Sequence, residues 1–310
     1  MTRRRALRGA RAAFVPVTLV LAWFGFRGRW SEVVGAVAGT SPVRLVAAVA
    51  CAALGIAITA TLWRLILRWV GSEVGVREGA EVFLVGQLGK YVPGSVWSVA
   101  AQAQLGRRHG VPARSGATAS ALFLLVHTAT GLLLGGLLVV GGVLDVPARP
   151  AWWPWAAVVV GAAALAPPLV RRLADRLGGR GIHSTFGVVE LTRTVALMAA
   201  AWACYGTSLL VLVPSGGPDS PAYVGAVAAF ALAHAAGVLV VVAPAGVGVR
   251  EGVLVALLAP TLGVPGAAAV ALLSRVAHAV ADFVVAGVAT AWARGARSTD
   301  APEPVRARGK

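Results

Sequence analysis

The chain has 310 residues, of which 58% are hydrophobic and 13% charged, and its mean hydropathy is +0.79. A soluble domain carries about 25% charged residues, so these side chains cannot clothe a water-facing globule, and the composition predicts an all-α integral membrane protein. The net charge of +16 would suggest nucleic acid on a soluble protein. Here the basic residues cluster between apolar runs, as in loops that face anionic headgroups, and no nucleic acid is expected.

The N-terminal block MTRRRALRGAR precedes an apolar run at 12–26. It has the form of a signal-peptide n-region with Ala36-Val37-Ala38 as a cleavage-like site, or of an uncleaved first helix with a cytoplasmic N-terminus, which is the reading adopted here. Apolar spans follow at 43–63, 116–143, 152–170, 194–213, 222–243 and 266–292. Arg64 and Arg68, then Arg107, Arg108 and Arg114, then Arg171, Arg172, Arg176 and Arg180 mark one side of the membrane. Trp152, Trp153 and Trp155 form an interface belt on the other, and PSGGPDSP at 214–221 carries no basic residue. This pattern puts both termini in the cytoplasm and requires an even number of crossings. The short helix VREGVLVALLAP, 249–260, supplies the eighth; as a re-entrant helix it would leave seven and an outward tail. The expectation is one membrane domain over 1–295, in two halves at about 1–143 and 152–295, with a disordered basic cytoplasmic tail at 296–310. Arginine far outnumbers lysine, which appears only as Lys90 and Lys310, and Ala, Gly and Val are abundant; these fit a GC-rich bacterial genome and an inner-membrane location. Cys51 and Cys204 lie in apolar runs and make neither a disulfide framework nor a metal site.

Two apolar stretches are broken. The first, at roughly 79–105, contains GQLGKYVPGSVWSVAAQ: Pro93 removes an amide donor and moves Val92 out of helical geometry, and Gly94 permits a sharp turn. Two half-helices with polar punctuation suit a re-entrant hairpin. The second, at roughly 244–262, is interrupted by Pro244, Gly246 and Gly248 and followed by Arg250 and Glu251. Pro93 matches Pro244, Val111-Pro112 matches Val264-Pro265, and an Ala-rich span with a histidine, His127 or His278, follows each, which suggests an internal repeat. In lipid, non-helical backbone survives only against protein or a water-filled cavity. Interrupted segments at corresponding places in two halves therefore point to a transporter's binding site. The amides freed at each restarting helix favour an anion, with Lys90 just before one start and Arg250 just after the other.

GKYVPGSVWSVAAQ and APAGVGVREGVLVALL resemble the two signature stretches of the flippase-type transmembrane region of bacterial lysylphosphatidylglycerol synthases and their stand-alone relatives, through Gly89, Lys90, Tyr91, Pro93 and Gly94, and through Pro244, Gly246, Gly248, Arg250 and Glu251. The resemblance implies a protein that moves phospholipids or isoprenoid-linked lipids between leaflets, with Lys90, Tyr91, Arg250 and Glu251 at the headgroup. Full-length synthases carry a soluble aminoacyl-transferase domain after the membrane region; no such segment follows here, so lysine transfer is not expected.

Arg275, His278 and Asp282 recur at i, i+3 and i+7 on one face of the last span. They form either a polar wall for a headgroup path, with His278 as a proton switch, or an Arg–Asp link between helices. His127 and His234 read as packing histidines, Glu190 with Arg193 as an interfacial pair, and Glu78 and Glu81 as electrostatic caps or partners of Arg77. Gly131 and Gly135 form a G-x-x-x-G that permits close helix contact. Arg250 and Glu251 project about 100° apart and do not simply pair with one another. GVGVREG is not a dinucleotide loop, and the chain has no Walker lysine motif, no H-E-x-x-H and no G-x-S-x-G. Neither an enzyme nor a cofactor is expected. Two other readings stand beside lipid translocation: a membrane subunit that presents a lipid or polyprenyl phosphate to a separate transferase, and a structural or regulatory membrane protein.

Overall fold

The computed structural model describes residues 30–91, 97–144, 151–178, 186–213, 223–240 and 246–299, and every regular element among them is helical. The helices are α1 (Trp30–Ala38), α2 (Pro42–Trp69), α3 (Val76–Gln87) with a 3₁₀ turn at Leu88–Tyr91, α4 (Trp97–Arg107), α5 (Ala113–Val140), α6 (Trp153–Ala164), α7 (Pro167–Gly178), α8 (Val188–Leu212), α9 (Tyr223–Leu239) and α10 (Val249–Thr299). Local sequence sets their ends. Ser41 accepts the Arg44 amide and Pro42 opens α2, and Glu190 accepts the Gly187 amide at the start of α8.

Four helices are long and apolar enough to cross a membrane: α2, α5, α8 and the stretch Val249–Gly295 of α10. Helices α6 and α7, bent by 59° where Pro167 follows, make a fifth span if taken as one. The described residues therefore do not show the expected eight spans. The apolar run at 12–26 lies outside them, as do the loop at 214–221 and the tail beyond 299. The expected eighth crossing, 249–260, is the short arm of a hairpin. At Gly263 the backbone takes φ 68°, which breaks α10. Arg250 then meets Ser274 and Glu251 meets Arg275 across the two arms. The 14-residue short arm, 249–262, is about 21 Å long at 1.5 Å per residue, short of the ~30 Å hydrocarbon core.

The same construction occurs earlier in the chain. A β-carbon on Gly86 would collide with Gln102, and one on Gly89 would lie 2.7 Å from the Ser98 nitrogen, so α3 and α4 run antiparallel. Helix α4 then turns at Gly110 (φ 78°) and packs back along α5, with Gly116 against Ala103. In the second unit, α9 and the short arm of α10 are antiparallel, with Gly237 against Gly246 and Arg250, and Gly263 turns the chain into the long arm. Each unit is thus helix, break, short helix, Gly-Val-Pro turn and long helix, with a left-handed glycine before Val111-Pro112 and before Val264-Pro265. These units cover about 76–140 and 223–299.

The two units point in opposite directions. Arg77, at the start of α3, lies over Trp292, whereas Tyr91, at the end of its 3₁₀ extension, stacks on Phe283. Helix α3 therefore runs antiparallel to the long arm of α10. Likewise Gly131 of α5 faces Ala231 and Ala235 of α9, while Gly135 faces Ala228 and Leu232. The G-x-x-x-G is consumed inside the chain. Helices α2 and α8 brace the units, with the Ser208 hydroxyl donating to the Ala48 carbonyl at 2.8 Å and Tyr205 lying against Gly55. Arginines gather at one end of the bundle: Arg64 donates to the Val74 carbonyl, Arg114 to the Leu177 carbonyl and Arg171 to the Phe186 carbonyl, and Phe186 packs 4.5 Å from Trp69.

Replacing Gly131 by leucine puts a side chain against the Ala231 carbonyl and Trp202, each already 3.1 Å from a β-carbon there. We expect Gly131→Leu to lose about 1–3 kcal/mol of stability by overpacking, seen as a lower Tm in detergent, with the mass of the protein–detergent complex unchanged. A changed mass at unaltered Tm would assign this face to an interface between chains instead.

Candidate functional site

A cavity of about 420 Å³ lies where the two units meet. The first unit contributes Lys90 and Tyr91 from the last turn before its break, and His127 from the middle of α5. The second contributes Gly246 and Arg250 after its break, with Arg275, His278 and Asp282 from the long arm. Tyr205, Phe230 and His234 complete the wall from α8 and α9. The residues flanking the two interruptions thus share one recess. Pro93, Gly94 and Pro244 lie outside the described residues. Gly246 (φ 67°) and Gly248 (φ 82°) supply the left-handed backbone of the second restart, and a β-carbon at Gly246 would come within 2.9 Å of the Gly237 α-carbon.

Asp282 joins the units. Its side chain is 3% exposed; Oδ2 is 2.6 Å from Lys90 Nζ and accepts from the Tyr91 hydroxyl at 2.6 Å. Lys90 also lies 5.5 Å from the Tyr91 ring, which stacks on Phe283. Asp282 pairs with Lys90, so the three polar residues of the last span do not form an Arg–Asp link. They line the cavity, and Arg275 turns to Glu251. The charges of Asp282 and Arg275 are matched by Lys90 and Glu251, residues beside the interrupted segments.

Arg250 is 8% exposed. Its Nη2 donates to the Ser274 hydroxyl at 3.1 Å, and its guanidinium lies 4.5 Å over the Phe230 ring. Its neighbour Glu251 does different work: Oε2 accepts the Gly248 amide at 2.7 Å and Oε1 accepts from Arg275 at 2.8 Å. Glu251 caps the restarting helix and orients Arg275, and it does not line the cavity. One of the amides expected to greet an anion is therefore already satisfied. Among the described residues Lys90 is matched by Asp282 and Arg275 by Glu251, while Arg250 faces a neutral serine and an aromatic ring.

His127 and His234, read from sequence as packing residues, face one another with ring centroids 4.7 Å apart, and both line the cavity. His278 stacks on Phe230 at 4.8 Å, and its Nδ1 is 2.8 Å from the Ser274 carbonyl. A carbonyl only accepts, so Nδ1 carries the proton, and in the neutral ring Nε2 presents a lone pair. Tyr205 and Phe230 carry no mark in the sequence. The signal for His127 and His278 is a polar ring inside the apolar span that follows each Gly-Val-Pro turn. Elsewhere Glu81 lies 3.4 Å from His109 and Glu190 caps Gly187. No group of three or more His, Cys, Asp or Glu among the described residues is placed to hold a metal ion.

Membrane-length helices, two oppositely directed interrupted units and a polar cavity between them define a multi-pass helical membrane protein. The chain matches the model of the lysylphosphatidylglycerol synthase TM region over residues 10–286 and belongs to that family. No curated protein matches it.

The Lys90–Asp282 contact can be isolated by a double-mutant cycle. We expect Lys90→Met to destabilise the protein, because it leaves a buried carboxylate with only a tyrosine partner, and Lys90→Met/Asp282→Asn to recover part of that loss. The coupling should be on the order of 0.5–3 kcal/mol, read from unfolding in mild detergent. Additive single substitutions would show that the pair carries no coupling.

Proposed function

We propose that the protein moves lipids between leaflets as a flippase-type transporter, and that the cavity between the two units takes a phosphate-bearing lipid headgroup while the acyl chains stay in the bilayer. The observation that carries this reading is a concentration of unsatisfied polar atoms. Five buried side-chain nitrogens among the described residues have no hydrogen-bond partner; His127 Nε2, His234 Nδ1, His278 Nε2 and Arg250 Nε are four of them, and all four residues line this cavity. Buried polar atoms without partners are costly, and a site that collects them is shaped for a polar guest.

The charges narrow the guest. With Lys90 and Arg275 each matched by a carboxylate, Arg250 supplies one uncompensated positive charge, which a single phosphodiester neutralises. A hydroxyl on the same headgroup donates to His278 Nε2. An anionic phospholipid or an isoprenoid-linked lipid with a hydroxylated head meets both conditions. Interrupted helices meeting from opposite directions are the arrangement in which secondary transporters place their sites near the bilayer midplane. In this reading the α3–α4 and α9–α10 hairpins are re-entrant. The arginine-rich end is cytoplasmic, in a bacterial inner membrane, with both termini on that side. The chain's role is translocation and not catalysis.

Reconstitution tests the proposal. Liposomes containing the wild-type protein and fluorescent phosphatidylglycerol should exchange label between leaflets, with Arg250→Gln reducing the rate roughly tenfold or more, as expected for a charge-assisted contact of about 1.5–3 kcal/mol. Exchange no faster than in protein-free liposomes, or equal in Arg250→Gln, would overturn it. Lipid bound without exchange would point to a subunit that presents its lipid to a separate transferase.

A further inference from the structure

A second recess, of about 470 Å³, lies at the basic end of the bundle between the last turns of α2 and the first turns of α8. Leu65, Ala196 and Leu197 form its apolar floor, and Arg64, Arg68 and Arg193 stand around it. Among the described residues no acidic side chain lines it. Arg64 is held in place by the Val74 carbonyl, at 3.4 Å from Nε and 3.3 Å from Nη2, and its acidic neighbours Glu73 and Glu78 lie outside the recess. Arg68 has only Glu73, at 3.9 Å with the two side chains 54% and 82% exposed, a pairing of little weight. Arg193 has no hydrogen-bond or ion-pair partner among the described residues. Glu190, one turn before it, spends a carboxylate oxygen on the Gly187 amide.

We propose that this groove is a lipid site separate from the central cavity and that it holds one anionic phospholipid. Three guanidinium groups around one recess repel each other unless an anion sits between them. The apolar floor and the position on two membrane-length helices favour an anion that brings its own hydrocarbon. At the ends of α2 and α8 the guanidinium groups stand at headgroup height. The phosphate lies among them and one acyl chain runs along Leu65, Ala196 and Leu197 toward the bilayer interior. Basic pockets between helices on an arginine-rich side are matched to anionic lipids in this way. A zwitterionic lipid brings its own ammonium group into the same field and competes poorly.

The test uses the full chain in liposomes doped with a photoactivatable phosphatidylglycerol or the matching phosphatidylcholine, with labelled peptides mapped by mass spectrometry. Labelling at Leu65, Ala196 or Leu197 should be strong with the phosphatidylglycerol probe and weak with the phosphatidylcholine probe. Arg68→Gln/Arg193→Gln should lower it at least tenfold, taking about fivefold for each basic residue near the surface. Arg68→Lys/Arg193→Lys should keep most of it, which separates charge from packing, and Arg250→Gln should leave it unchanged, which separates this groove from the central cavity. Equal labelling by the two probes in the wild type, a comparison that needs no variant to fold, overturns the proposal. So does unchanged labelling in a folded Arg68→Gln/Arg193→Gln protein.

Discussion

A backbone amide inside a bilayer has no water to turn to, and this constraint governs the whole structure. Each peptide group must find its partner within a helix, against another element or in a polar recess. The chain interrupts two of its apolar segments and resolves the cost by bringing the residues beside those interruptions together. Lys90 and Tyr91 come from one side and Gly246 and Arg250 from the other, and all four line one cavity. The left-handed glycines at 246 and 248 and the cap that Glu251 places on the Gly248 amide show how the second restart is settled locally. The long helices around it hold the geometry with small residues that let backbones approach, such as Gly131 beneath Ala231 and Gly55 beneath Tyr205.

Polar side chains follow the same accounting. Asp282 is nearly inaccessible, yet it takes two donors from the opposite unit. Arg275 and Glu251 link the two arms of α10 across Gly263. Once these pairs are drawn, what remains is one guanidinium and three imidazoles, and they share the cavity. Structural charges are thus spent on holding the recess together, and Arg250 is left facing a serine and an aromatic ring.

Much of this was legible in the sequence. Pro93 and Pro244, the repeated Val-Pro pair and the i, i+3, i+7 spacing of Arg275, His278 and Asp282 were enough to expect two interrupted segments around a polar recess. Three things were not legible, each for a physical reason. Hydropathy cannot show where one apolar stretch folds against the next, so 249–260 read as a crossing of its own; only the φ of Gly263 and the pairing of Arg250 with Ser274 reveal the hairpin. Charge pairing across elements is a tertiary property, so the sequence left open whether Asp282 joined a polar wall or paired with Arg275, and its counter-charge comes from Lys90. A lone histidine in an apolar run looks like packing until a second appears across the gap, as His234 does opposite His127.

The opposed units are alike in path but not in chemistry. Gly110 and Gly263 occupy the same place in their units, 153 residues apart, and the same step back from Asp282 reaches Ala129. The first unit's long helix therefore offers a methyl group where the second offers a carboxylate. Were the halves to trade postures, as pseudo-symmetric carriers do, the reversed form would lack the aspartate that fastens Lys90 and Tyr91 here. The carboxylate that fastens Lys90 and Tyr91 thus comes from one unit alone, and the likeness in path stops at the contact that joins the two.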